Sequence, residues 1–382
     1  MGPADPSDPA VALLRSLSGP EGIRASATEV DNYRAVFTRD AVLAGIAGLI
    51  AGDEVVTAAF VRTLEQLRSR QGRHGQIASN FRPGTPGGGE GAVSFGTLTP
   101  KIDATSWYLL GVALAIRAGE AAAADFTASV EAAVDLLDAL EYNGAHLVYV
   151  PAGGNWADEY PYSGYILSDQ VLRAWALSLL AIAFDREEWG RKAARIAGAV
   201  RDRYRPADGD PAGPPPASIG PPRRWDVFDL AAAALLGVSN IAPERGAEAL
   251  DWVDAEFLGR GALPPAFHPP ITESDPGWDE LRGFHLFDFR NRPHEYHNGG
   301  IWPIWLGWLA LALALRGRTE TLGRLRASWA DALERAPRFD FHEFLHGRTG
   351  QPGGRPRMAY SAAGSIFLGL AGDPESLSLL RP

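Results

Sequence analysis

Four segments between residues 33 and 344 set carboxylates beside aromatic rings. They are Tyr33 to Asp40, Asp103 to Tyr108, Glu295 to Trp302 and Phe341 to Phe344. A fifth, Gly153 to Tyr162, puts Asp158 and Glu159 among Trp156, Tyr160 and Tyr162. Rings stack on the apolar faces of a pyranose, and carboxylates grip its hydroxyls and move protons. Asp103 stands one helical turn before Trp107 and Tyr108. A carboxyl beside a large ring is desolvated and its pKa rises, as a general acid requires. Glu343, flanked by Phe341, His342 and Phe344, suits a general base acting on water. Arg39 with Asp40 suits a grip on sugar hydroxyls, and Tyr33 and Phe37 precede them. Trp156 and Asp158 read as a substrate wall, and His297, Asn298 and Trp302 as a second. Glu280, near Asp275, Trp278 and Asp279, is a further contact, and either Glu280 or Glu273 is open to sharing the role of Glu343. Each acid also has a plainer use: Asp40 and Asp103 sit where helices begin and suit N-caps.

Other chemistries fit less well. His342-Glu343-Phe-Leu-His346 matches the H-E-x-x-H spacing, which needs both histidines on one face of a sustained helix. Pro337 before it and Gly347 and Gly350 after it break any such helix, so no metal is expected. The glycine run from Gly84 lacks the Gly-Lys-Ser/Thr of a phosphate loop, and no nucleophile elbow occurs. There is no cysteine and therefore no thiolate chemistry. No cofactor is implied. His285, His294 and His297 leave room for a sugar epimerase using histidine as acid and base, and a sugar-binding module without catalysis is the third class. The net charge of −10 argues against nucleic acid and anionic membrane as partners. A neutral small saccharide fits. The N-terminus lacks a basic stretch followed by an apolar run, and Ile301–Leu315 is too short to span a bilayer. A soluble, cytoplasmic protein is the expectation, with its oligomeric state left open.

These residues need a frame. Apolar positions recur at three and four spacing over 41–51, 53–70, 103–118, 121–141, 164–184, 187–204, 226–237, 243–258, 299–316, 318–335 and 359–371, with a weaker twelfth at 8–18. Connections alternate between short (Gly52-Asp53, Gly119-Glu120, Asp185-Arg186, Ser239 to Ala242, Gly317-Arg318) and long (71–102, 142–163, 205–225, 259–298, 336–358). The long ones carry the Gly, Pro, Trp, His and acids. If each pair is an antiparallel hairpin, short turns fall at one end of a bundle and long loops at the other. Six hairpins closed into a ring make an all-α toroid, an (α/α)6 barrel, over 1–382 as one catalytic domain. The more apolar helix of each pair lies inside. The Pro-rich stretch Pro211–Pro222 reads as an excursion, and short extended pieces near Arg34–Phe37 and Leu147–Val150 pair locally.

The order Arg39-Asp40, Asp103…Trp107-Tyr108, Tyr296-His-Asn-Gly-Gly-Ile-Trp-Pro303, Glu343-Phe…Gly347…Gly350 and Tyr360-Ser-Ala-Ala-Gly364 resembles the alkaline/neutral invertases. That family is similar in turn to amylo-α-1,6-glucosidases and bacterial α-glucosidases. The resemblance implies an (α/α)6 barrel and metal-free hydrolysis with inversion. It implies Asp103 as the general acid, Glu343 as the general base, with His342 in place of the usual Pro, and Arg39 and Asp40 on the sugar. Sucrose is the first substrate it suggests, with glucosylglycerate or α-1,6-linked glucose next. The loop 259–296 departs from the invertase His-Glu-Trp segment.

Overall fold

A computed structural model of the chain describes residues 8–28, 31–84, 91–141, 144–206, 213–220, 227–372 and 377–381. The glycine run after Gly84 and the two ends of Pro211–Pro222 (211, 212, 221 and 222) lie outside the described residues.

Thirteen helices occur among the described residues. Five consecutive pairs are hairpins: α2 (Thr38–Ala51) with α3 (Glu54–Ser69), α4 (Asp103–Arg117) with α5 (Ala123–Ala139), α6 (Leu167–Ala183) with α7 (Glu187–Arg203), α8 (Leu230–Ser239) with α9 (Pro243–Glu256), and α11 (Pro303–Leu315) with α12 (Thr319–Arg335). The sixth pair joins the two ends of the chain, since α1 (Pro9–Leu17) packs on α13 (Ala359–Leu370). The short helix α10 (Trp278–Gly283) lies in the longest loop.

The ring closes in contact order α2, α4, α6, α8, α11, α13 and back to α2. These six are the inner helices expected from apolar content, and the reason is visible in their sequences. Every residue of α8, Leu-Ala-Ala-Ala-Ala-Leu-Leu-Gly-Val-Ser, is buried, as it must be when neighbours cover all sides. The outer α7 instead buries only Trp189, Ala193, Ile196 and Val200, one stripe at three and four spacing. Where α11 meets α13, Gly307 and Gly364 let the backbones touch. A Cβ on Gly307 would stand 2.5 Å from the Gly364 carbonyl oxygen.

Each short turn passes through one residue of positive φ: Gly52, Gly119, Asp185, Asn240 and Gly317. At the opposite end, two-residue antiparallel ladders stitch the long loops to the starts of inner helices. Val36–Phe37 pairs with Asn80–Phe81 just before α2, Tyr165–Ile166 with Ser218–Ile219 before α6, and Phe228–Asp229 with Phe267–His268 before α8. Ile301 bridges Leu345 before α11. The expected pairing near Arg34–Phe37 is the first of these, and Val150 bridges Gly164. The loops therefore form a wall over the helix N-termini. Among the described residues no helix is long and apolar enough to cross a membrane.

Candidate active site

The loop wall encloses a cavity of about 550 Å³. It falls within the roughly 300–1,000 Å³ typical of small-molecule sites. Of the fourteen residues expected at a site, nine line it: Tyr33, Phe37, Arg39, Asp40, Trp156, Asp158, His297, Trp302 and Glu343.

Glu343 is 3 % exposed and held on three sides. The Tyr33 hydroxyl donates to Oε1 at 2.9 Å, the Arg355 backbone N–H to Oε2 at 2.9 Å, and the Tyr360 hydroxyl reaches Oε1 at 3.4 Å. Burial pushes its carboxyl above the usual range and the Asp158 charge adds to that, while Arg290, the Arg355 N–H and Tyr33 pull back. Asp40 is pushed up to about 6, first by burial and also by Glu343, against the pull of Arg39. The Arg39 guanidinium lies between two acids, 3.4 Å from Asp40 and 3.5 Å from Asp103.

Asp158 comes from the loop before α6. Its side chain is 40 % exposed and 3.9 Å from the Lys101 ammonium. Desolvation lifts it, but Lys101, His297, Arg39 and Arg290 together bring it below the ordinary aspartate range. The loop is pinned from beneath. Lys101 Nζ donates to the carbonyls of Gly153 and Asn155, the Ile102 N–H to Gly154 at 2.7 Å, and Asn155 Nδ2 to Asp169 at 3.0 Å and to the Tyr162 hydroxyl at 2.7 Å. Next along, Glu159 pairs with Arg290 at 3.0 Å. The rings of the wall pack against one another: Trp156 stacks on Phe267, and Trp302 on His297 and Tyr360. Burial keeps His297 far below the usual histidine pKa, hence neutral.

Five expected residues stand elsewhere. Asp103 is 3 % exposed and reaches Arg39 from below, so Arg39 and not Asp103 forms the cavity surface there. Its own neighbours, Trp107, Asn155, Trp156, Ser168, Asp169 and Trp305, enclose a separate void of about 10 Å³. Trp107 packs into the barrel axis on Trp305 and Trp308. Tyr108 turns outward and bonds Ser129 of α5 at 2.8 Å. Asn298 is fully buried, and its amide spans the loop, from Ile271 N–H at 2.7 Å to the carbonyls of Ile271 and Asn291 at 2.8 and 3.1 Å. Glu280 lies on α10, off the cavity wall, and Glu273 is exposed.

The competing arrangements do not assemble. Of the three histidines considered for an epimerase, His285 is half-buried and bonds the Phe287 carbonyl, His294 stacks on His346, and only His297 lines the cavity. His342 and His346 each accept backbone N–H bonds in turns, around the strand Phe344–Leu345. Among the described residues no group of three or more His, Asp and Glu is placed to hold a metal ion.

Cavity residues not foreseen include Lys101, Arg290, Trp305 and Arg355. Arg290 had a legible signal, a cation directly after Phe287-Asp-Phe289. It lies over the Tyr296 ring at 4.1 Å.

Residues 261–367 match the family described as alkaline and neutral invertase. That stretch holds Glu343 and the His297–Trp302 wall, and does not reach Asp158 or Asp103. A comparison with curated proteins gave no match. Among solved structures the chain is similar to a GH63 mannosylglycerate hydrolase from Thermus thermophilus in complex with glucose. The two are 16% identical over 94% of this chain and 98% of that one, with a TM-score of 0.62. It is also similar to a bacterial glucoamylase complexed with acarbose, at 14% identity, 98% and 56% coverage and a TM-score of 0.64. A glycosidase bound to glucose gives 16%, 98% and 96%, and 0.62. At such identities the structures establish the shared (α/α)6 barrel. Placed on that barrel, the family match over 261–367 makes the chain similar to the invertases and to glycoside hydrolases of the same architecture.

Proposed function

We propose that the protein hydrolyses an α-glucosidic bond of a small saccharide with inversion, using Glu343 as general base and Asp158 as general acid. One observation carries this. The two carboxylates line the same cavity from loops that feed α13 and α6, which are opposite members of the six-helix ring. Inversion needs an acid and a base on opposite faces of the anomeric carbon, roughly 6.5–9.5 Å apart, with room for a water. The acid role expected of Asp103 moves to Asp158 because a general acid must touch the glycosidic oxygen, and Arg39 covers Asp103.

In this reading Asp158 gives its proton to the glycosidic oxygen as the C–O bond breaks. Glu343 takes a proton from the water whose oxygen attacks the anomeric carbon from the other side. Arg39 and Asp40 hold hydroxyls of the cleaved sugar, and Trp156, Trp302 and Tyr360 face its apolar surfaces. Asp158 must first be protonated, against the cations of Lys101, Arg39 and Arg290. A sugar that displaces water from this 40 % exposed side chain raises its pKa by desolvation. Substrate binding and proton uptake are then linked.

Glucose and acarbose in the similar structures support a glucose-like sugar in the inner half of the cavity. Sucrose is the first candidate, then glucosylglycerate and α-1,6-linked glucose, with the chain acting as a single catalytic domain. The test is a panel of these glycosides with maltose, isomaltose and trehalose, the released sugar followed by NMR. β-Glucose as the first product supports the proposal. First-formed α-glucose, or no release from any member, overturns it.

A further inference from the structure

Among the described residues six large apolar side chains are exposed, and three of them, Leu98, Leu286 and Phe287, line the one cavity already assigned. Exposure grades along that cavity. Asp40 and Glu343 are 3 % exposed, whereas Leu98 is 40 %, Leu286 41 % and Phe287 71 %. The buried acids are thus at the deep end, and the mouth carries exposed Arg82, Thr97 and Asp288 beside the three apolar side chains. The three come from two separate loops, one before α4 and one before α11, so the rim is assembled by the fold and not by one run of sequence. The Leu286 loop also packs on the loop of Asp158, where a Cβ on Gly153 would meet the Phe284 ring at 3.1 Å.

We propose that this rim is the leaving-group subsite and that, beyond saccharide leaving groups, it takes aglycones that present an aryl or alkyl face. The inference rests on the glycosidase reading, which puts the cleaved sugar on Asp40, Asp158 and Glu343 and points its departing oxygen toward the mouth. Aliphatic side chains offer no hydrogen bond, so a second sugar gains little from Leu98 and Leu286 beyond what water and the polar groups of the rim already give it. An apolar aglycone covers the same surface and removes it from water. Thr97 and Asp288 beside them suit an aglycone with one polar edge.

The alkyl α-glucosides from methyl to hexyl test this, because leaving-group chemistry is nearly constant from ethyl onward while apolar area grows. In the wild type kcat/KM rises on the order of tenfold from ethyl to hexyl, the gain that a few partly buried methylenes supply. In Leu286→Ser/Phe287→Ser the ratio of hexyl to ethyl falls close to one. A flat series in the wild type, or a rise that survives the double substitution, overturns the proposal. If none of the glycosides turns over, the glycosidase reading fails by itself, and calorimetric titration of the same series reads the rim without catalysis. Affinity that grows with chain length only in the wild type supports the subsite, and affinity independent of length overturns it.

Discussion

Two sets of carboxylates occupy this barrel. Glu343 and Asp158 stand on the cavity wall among Arg290, Lys101 and Arg39. Asp169 and Asp229 lie at the starts of α6 and α8, 6 % and 2 % exposed, with amides, hydroxyls and backbone N–H groups about them instead of cations. Burial drives both of these inner acids up, Asp169 well above the aspartate range and Asp229 to about 7. The difference teaches what makes an acid available for chemistry here: cations that tune it and an opening that admits substrate. The inner acids have neither and serve as hydrogen-bonding struts. Asp103 stands at the boundary, with the burial of the inner set and the arginine of the outer one.

The sharpest way to break this comparison is to neutralise acids on both sides of the boundary. Glu343→Gln and Asp158→Asn should each lower kcat by about 10²–10⁴-fold, the usual worth of a positioned acid or base. The loss in Asp158→Asn should shrink on a substrate with a good leaving group such as 4-nitrophenyl α-glucoside, because that oxygen needs no proton. Asp103→Asn should cost only about tenfold, chiefly in KM, since it removes one of two anions that hold Arg39 in place, a charged contact worth about 1.5–3 kcal/mol. Steady-state kinetics decides. A loss above about 10³-fold in Asp103→Asn, together with near wild-type rates in Asp158→Asn, would return the acid role to Asp103.

A smaller effect sharpens the outer half. In the proposed mechanism Glu343 acts as a base only when ionised, and its pKa is raised, first by burial. The acid limb of the pH profile of kcat/KM should therefore lie above the ordinary glutamate range. The Tyr33 hydroxyl bond to Oε1 favours the ionised form. In Tyr33→Phe that support is gone, the pKa rises further, and the acid limb moves to higher pH with activity recovered on its alkaline side. An unmoved limb would mean that Glu343 is not the group titrating.

Much of this was legible in the sequence, for reasons that particular residues show. The inner and outer helices were separable because the ring buries α8 and α11 on all sides and α7 on one stripe only. The turns were legible because each needs a residue tolerant of positive φ, as at Gly52 and Asn240. The last pairing was not, since nothing local links α1 to α13 across the whole chain. At the cavity wall, Glu343 and Asp158 on loops and Arg39 in the first turn of α2 had been picked out by type and neighbourhood. Helix-borne Trp107 and Tyr108 were misplaced because a rotation of about 100° per residue decides whether a ring faces the cavity, the axis or the outer layer. Asn298 misled differently: a polar residue in a glycine-rich entry looks like a ligand group, while its amide closes a loop. Asp103 carried the right type beside the right ring, and only the height of Arg39 above it takes it off the wall.

The smallest predicted effect belongs to the inner set and is a matter of stability alone. An aspartate in an unfolded chain titrates near 3.9, whereas Asp229 in the fold titrates at about 7. Between those values the native state holds a proton that the unfolded state has released. Stability from this group is therefore complete below about pH 4 and is lost as pH rises through 7. Three pH units of separation correspond to a few kcal/mol at most. Asp229→Asn carries no charge at any pH, and its amide oxygen can still accept the Ala231 N–H that Asp229 Oδ1 takes at 2.8 Å to cap α8. Urea unfolding at pH 5 and pH 8 should show the wild type losing stability on the alkaline side and the variant losing less. The difference between the two curves isolates residue 229 from the other acids, which titrate in both proteins. Parallel curves would mean that Asp229 is ionised in the fold at neutral pH. The contrast between tuned outer acids and neutral inner ones would then fail at the position where it is most exposed to measurement.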